Sequence, residues 1–175
     1  MAIIRTKKLK HKNLRCSDIE IAIAYYFGIT SNLMVPNVSY GMFSHECDLI
    51  KLTGSNICSE IEIKISIQDM KNDLKKKHLH KDKLIHELYF AIPDYLKDNI
   101  DLIPLHAGIL IVKSDSQAKH LPVECIRRAK RDIKIKWTID DKIRLLRLST
   151  MRIWNLKIKL REEKEKYDRL YKDKM

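Results

Sequence analysis

Five charged residues of this chain, on two neighbouring segments, are of a type and spacing that could carry hydrolytic chemistry. In Ser59-Glu60-Ile61-Glu62-Ile63-Lys64-Ile65-Ser66, charge alternates with isoleucine. As a strand, this segment sends Ile61, Ile63 and Ile65 to one face and Glu60, Glu62 and Lys64 to the other. Just upstream, Glu46-Cys47-Asp48-Leu49-Ile50 reads as a second strand with its own acidic pair, and Thr53-Gly54-Ser55-Asn56 as the turn between them. If Leu52 pairs with Cys58, Asp48 falls opposite Glu62 and Glu46 opposite Lys64. If Leu52 pairs with Asn56, Asp48 faces Glu60. Either register puts the charges on one face, whereas a slip by a single residue splits them.

Facing side chains in such a hairpin have Cβ atoms roughly 5 Å apart, so opposed carboxylates destabilise the sheet unless a cation neutralises them. Hard oxygen donors suit Mg²⁺ or Mn²⁺. Lys64, on the same face as Glu62, is placed to orient a water or to stabilise charge on a phosphate oxygen. The competing reading is a solvated sheet face with cross-strand salt bridges. Glu46 and Glu60 read as supporting or ion-paired residues, either able to replace Glu62 as a ligand in another register.

The order of Asp48, a turn, and Glu62-Ile63-Lys64, between a leading and a following helix, resembles the PD-(D/E)XK nuclease superfamily. The resemblance implies a restriction-endonuclease-like α/β fold, with a mixed central sheet flanked by helices and a core order of helix, three strands, helix, strand over residues 17–92. It implies that Asp48 and Glu62 bind Mg²⁺ (or Mn²⁺) and that Lys64 assists phosphodiester hydrolysis. Glu20, on the first helix, matches the acidic residue many members carry there and is a further candidate metal ligand. Cys47 stands where the family has proline, and that proline is not a ligand. The resemblance says nothing about residues 120–175.

The elements that must position these groups follow in chain order. Residues 1–16 form a basic arm, with Arg5, Lys7, Lys8, Lys10, Lys12 and Arg15. A helix runs from Ser17 to about Phe27 and stops at Gly28; Ser17 with Glu20 matches a capping box, and Ile19, Ile23 and Phe27 form its stripe. Residues 32–43 read as a strand that Pro36 confines to an edge or a bulge. Ser66 caps a helix over 67–77 with Ile67, Met70 and Leu74 buried. Lys71, Lys75, Lys76 and Lys77 on and after it are candidate nucleic-acid contacts, and Gln68 a candidate for positioning water or phosphate. Residues 78–86 read as a polar loop in which His78, His80 and His86 could suggest zinc, though a solvated or phosphate-contacting surface is the simpler view. A strand over 87–92, a short helix over 94–99 and a strand over 106–112 follow, and Pro122 opens a basic helix with Arg127, Arg128, Lys130 and Arg131. The stretch from Ile139, free of Gly and Pro, reads as one long helix suited to contacting DNA, dimerising or capping the core.

The domain reading is thus a basic arm (1–16), a nuclease-like core (17–138) and a C-terminal basic helical extension (139–175). With 175 residues, 45% hydrophobic and 33% charged, and only four Gly and four Pro, the chain reads as a globular domain rather than a disordered one. A formal net charge of +12 points to a polyanion, nucleic acid before an anionic membrane surface. Cys16, Cys47, Cys58 and Cys125 form no CxxC pair, which argues against a zinc ribbon and for a reduced cytoplasmic protein. No signal peptide or membrane span is expected. The expected activity is Mg²⁺-dependent hydrolysis of DNA, with RNA open to the same chemistry. The alternative is an inactive nuclease-like protein that binds nucleic acid or assembles through its last helix. Alanine at Asp48, Glu62 or Lys64 is expected to abolish cleavage with the fold intact.

Overall fold

A computed structural model describes residues 13–38, 41–76, 80–114 and 118–172. Arg5, Lys7, Lys8, Lys10 and Lys12 of the basic arm, and Lys77 and His78, lie outside the described residues. The chain divides into two compact units, one through Lys136 and one from Trp137 onward.

The first unit is built on a six-stranded mixed sheet in the spatial order of the sequence: β1 (Leu33–Val38), β2 (Cys47–Leu52), β3 (Cys58–Ile63), β4 (Glu87–Pro93), β5 (Gly108–Val112) and β6 (Val123–Arg127). β1, β2 and β3 run antiparallel, β3, β4 and β5 are parallel, and β6 returns antiparallel to β5. Helices cover both faces. On one, Ile19, Ala22 and Ile23 of α1 (Cys16–Phe27) pack on Leu49, Ile61, Ile63, Tyr89, Ala91 and Leu110. On the other, Met70 of α2 (Ile67–Asp73) and Leu96 of a 3₁₀ helix (Asp94–Leu102) join Leu88, Phe90, Ile92, Ile109 and Ile111. Coverage on both faces explains why the parallel strands are almost uniformly apolar. The element order α1, β1, β2, β3, α2, β4 is the one expected for residues 17–92.

Several expectations need correction. Residues 123–127 form an edge strand, not a helix. Val123, Cys125 and Arg127 alternate with Glu124 and Ile126, and β5 offers an unfilled edge that this period-two segment completes. The cap of α1 is at Arg15, whose backbone N–H donates to the Asp18 carboxylate at 2.9 Å, so Glu20 is not needed for capping. α2 does begin at Ser66, whose hydroxyl accepts from Asp69 N at 3.1 Å, but it ends at Asp73, and of its expected stripe only Met70 is buried; Ile67 and Leu74 are exposed. Pro36 lies on the edge strand, as its missing N–H requires.

The second unit is dominated by α3 (Ile139–Lys172), a helix of 34 residues. Asp140 and Asp141 in its first turn suit the positive end of the helix dipole, and the Thr138 hydroxyl accepts from Asp141 N at 3.2 Å. Trp154, Leu156, Leu160 and Leu170 along it are exposed. No helix among the described residues is long and apolar enough to cross a membrane.

Candidate functional site

The hairpin takes the register in which Leu52 pairs with Cys58, with Ile50 opposite Glu60 and Leu49 opposite Ile61. The ladder then stops. In place of a further backbone bond, the Asp48 carboxylate accepts from Ile63 N at 2.8 Å. On its other side Asn37, left out of the β1–β2 ladder, adopts φ +52 and directs its amide to Glu20 of α1 at 3.5 Å. Asparagine tolerates this left-handed conformation better than most residues. Glu20, Asn37, Asp48 and the end of β3 therefore meet at one corner of the sheet.

The charged face of β3 is not solvated. β3 is an interior strand, and Glu60, Glu62 and Lys64 are 0%, 1% and 3% exposed. They share a face with Leu88 and Phe90, beneath α2 and the segment that follows it. Lys64 Nζ donates to Glu62 Oε2 at 2.7 Å and lies 2.9 Å from Asp73 Oδ1 of α2. Lys76 Nζ reaches the same two oxygens at 3.2 and 2.9 Å. His80 places Nε2 2.9 Å from Asp73 Oδ2 and Nδ1 2.9 Å from Glu60 Oε1. His45 Nε2 lies 2.8 Å from that same Glu60 oxygen.

The electrostatics separate these carboxyls. Glu62 is pushed up from its ordinary value, by burial first and then by the charge of Asp48, which together outweigh Lys64 and His80. Glu20 is likewise raised by burial and by Asp48. Burial acts against Asp73 as well, but hydrogen bonds from His80, Lys64 and Lys76 hold it well below the usual carboxylate range. For Glu60, the bonds from His45 and His80 outweigh burial and lower it. Burial would lower Lys64, yet Glu62 and Asp73 raise it, so it is an ammonium at neutral pH. His80 is raised to about 9, burial being overcome by Asp73 and Glu60. With His80 charged, Lys64, Lys76 and His80 balance Glu60, Glu62 and Asp73.

Asp48, Glu62 and Lys64 are thus brought together, with Glu20 on the far side of Asp48. Lys76 belongs to the buried network rather than to an outer surface, while Lys71 and Lys75 are exposed. Gln68 bonds along its own helix to Asn72 Oδ1 at 2.9 Å, and Glu46 is exposed. His80 and His86 part company: His80 joins the acidic network, whereas the His86 ring accepts from Cys58 N at 3.2 Å and donates to the Ile135 carbonyl at 2.8 Å. Asp73, His45 and Cys47 were not expected as site residues. Asp73 lies one helical turn after the buried Met70, and that spacing was its legible signal. His45 and Cys47 stand beside Asp48 in the sequence, but nothing in their spacing distinguishes them from core residues.

The sequence matches no family model and no curated protein. Its structure is similar to that of SPO1766, a protein of unknown function from Silicibacter pomeroyi, with a TM-score of 0.60 and 18% identity over 87% of this chain and 96% of the other. That likeness concerns the fold: a mixed α/β sheet with flanking helices.

Proposed function

We propose that the chain is a nuclease with a restriction-endonuclease-like core, hydrolysing phosphodiester bonds in DNA with Mg²⁺ or Mn²⁺. The observation that carries this reading is the Asp48–Glu62–Lys64 corner, where a carboxylate docked on Ile63 N adjoins a buried glutamate–lysine pair. The donors fit a hard divalent cation. Asp48 raises both Glu62 and Glu20, a like-charge crowding that such an ion relieves. Asp48 and Glu62 would hold it, with Glu20 as the further ligand. Bound there, the ion would supply a water of lowered pKa and neutralise charge at the scissile phosphate.

The protein's own groups divide the remaining work. Lys64, held as an ammonium, acts as a charge donor to a phosphate oxygen rather than as a proton acceptor. Asp73, at the end of α2, keeps Lys64 and Lys76 in place. The exposed Lys71 and Lys75 hold the phosphate backbone. Cytoplasmic action on DNA, with RNA as a second substrate, completes this reading.

One observation favours the alternative of an inactive nucleic-acid-binding or assembly protein: the Glu62 carboxylate is already engaged by two ammonium groups. Supercoiled plasmid, single-stranded DNA and RNA, each incubated with Mg²⁺, Mn²⁺ or chelator, separate the two. Metal-dependent cleavage lost in Asp48→Asn, Glu62→Gln and Lys64→Met supports the nuclease. No cleavage by the wild type moves the assignment to the alternative, and full activity in all three variants removes this site.

A further inference from the structure

One donor set plays no part in the nuclease reading. His45, two residues ahead of Cys47, the first residue of β2, together with Cys47 and Glu60 on β3 place an imidazole nitrogen, a thiol sulfur and a carboxylate oxygen within 4.8 Å of one another. All three residues are buried to 1% exposure or less. Glu60 Oε1 takes both imidazoles, His45 Nε2 at 2.8 Å and His80 Nδ1 at 2.9 Å, while its other oxygen, Oε2, is buried with no hydrogen-bond partner among the described residues. A carboxylate oxygen left without a donor in a dry site is costly, and native interiors rarely tolerate one. A thiol, an imidazole and a carboxylate within this reach, with the His80 imidazole on the same Glu60 oxygen, are the donors of a borderline-soft cation, not of Mg²⁺.

We propose that His45, Cys47 and Glu60, closed by His80, form a structural Zn²⁺ site that ties the start of β2 to β3, separate from the hard-ion corner at Asp48 and Glu62. Tetrahedral zinc with these donors sets neighbouring ligand atoms roughly 3.3–3.6 Å apart. The His45–Glu60 separation of 2.8 Å needs to open by only a fraction of an ångström. Asp73 Oδ2, 2.9 Å from His80 Nε2, fixes that ring from behind and leaves Nδ1 toward the ion, a carboxylate–histidine–metal arrangement. Protons balance as follows. The Cys47 thiol and His80 Nδ1 each release one to solvent. The proton on His45 Nε2 moves to Nδ1, which Ser44 Oγ faces at 3.3 Å. Binding is therefore tighter at higher pH.

The test uses the full chain, stripped with chelator and retitrated with Zn²⁺, and with Co²⁺ as a spectroscopic probe. The wild type should take up one Zn²⁺ per chain. Its Co²⁺ form should show a near-ultraviolet thiolate-to-metal charge-transfer band. Cys47→Ser should lose that band and weaken zinc by at least roughly hundredfold, and His45→Asn should weaken zinc to the same degree should the serine variant not fold. Cys16→Ser, whose thiol is exposed elsewhere, should keep both signals. Glu62→Gln should keep both while losing cleavage, which makes this site's failure distinguishable from the nuclease's. A wild type without stoichiometric zinc, or a charge-transfer band that survives Cys47→Ser, overturns the proposal.

Discussion

Removing the Lys64 ammonium should destabilise the fold, and removing the Glu62 charge as well should partly restore it. Lys64 is 3% exposed and bridges Glu62 Oε2 and Asp73 Oδ1. In Lys64→Met the two acids are not left alike. Asp73 keeps Lys76 and His80, each at 2.9 Å. Among the described residues, Glu62 keeps Lys76 at 3.2 Å, on a side chain that is 37% exposed, together with His80 at 3.7 Å. Breaking a buried pair from one side costs about 3–5 kcal/mol. At ~2 kcal/mol per molar urea, the unfolding midpoint should fall by roughly 1.5–2.5 M. Glu62→Gln alone should cost only about 1 kcal/mol, because burial and Asp48 already disfavour its charge. The double variant should then be more stable than Lys64→Met by ~1–2 kcal/mol, which with the Glu62→Gln cost makes a coupling of about 2–3 kcal/mol, within the range of contacting residues. Urea unfolding followed by circular dichroism, with chelator present, measures all four proteins. Strict additivity, or a double variant less stable than Lys64→Met, would refute the reasoning. The burial of Lys64 between Glu62 and Asp73 argues against the expectation that alanine there spares the fold, and the same urea series decides it.

Two further outcomes follow from the same geometry. His80 faces Asp73, Glu60 and Glu62, and its folded value of about 9 exceeds the ordinary 6.5. In chelator its stabilising effect should be complete below pH 6.5 and lost as pH rises through about 9, a total of roughly 3 kcal/mol. Urea midpoints across that window should flatten in His80→Asn, and equal slopes in the two proteins would refute the assignment. Gly108 stands beside Tyr89 in the β4–β5 ladder, where an added Cβ would run into the Tyr89 ring and come within 2.7 Å of Ala129 N. Gly108→Ala should cost ~1–3 kcal/mol in the same assay, and an unchanged midpoint would show that the strands yield freely.

The hairpin was the most legible part of the fold. Alternation in 59–66 and the turn at 53–56 gave both its strands and the face each side chain takes, because a one-residue slip would have turned every isoleucine outward, but they left two registers two residues apart, between which the fold selects Leu52 opposite Cys58. Alternation could not tell whether the charged face met water. That depended on α2 and the crossover after it, whose buried Asp73 and His80 cover Glu60 and Glu62. The same limit explains β6: Pro122 and its arginines suit a helix start locally, but an open sheet edge outweighs propensity. The orphaned oxygen of Glu60 could not be anticipated, since it arises only when β2, β3 and the loop carrying His80 close on one another.

The buried network is neutral as a whole, so the net charge of +12 resides in groups outside it. Salt screens the two populations differently: exposed charges lose their reach within about 10 Å at 0.1 M, whereas pairs excluded from solvent are screened far less. On the proposed reading, ionic strength should therefore set how strongly a polyanion is captured through residues such as Lys71 and Lys75, while leaving the protonation of Lys64, Glu62 and His80 nearly untouched. If that proposal holds, capture and chemistry would answer to separate controls, salt for the first and pH for the second.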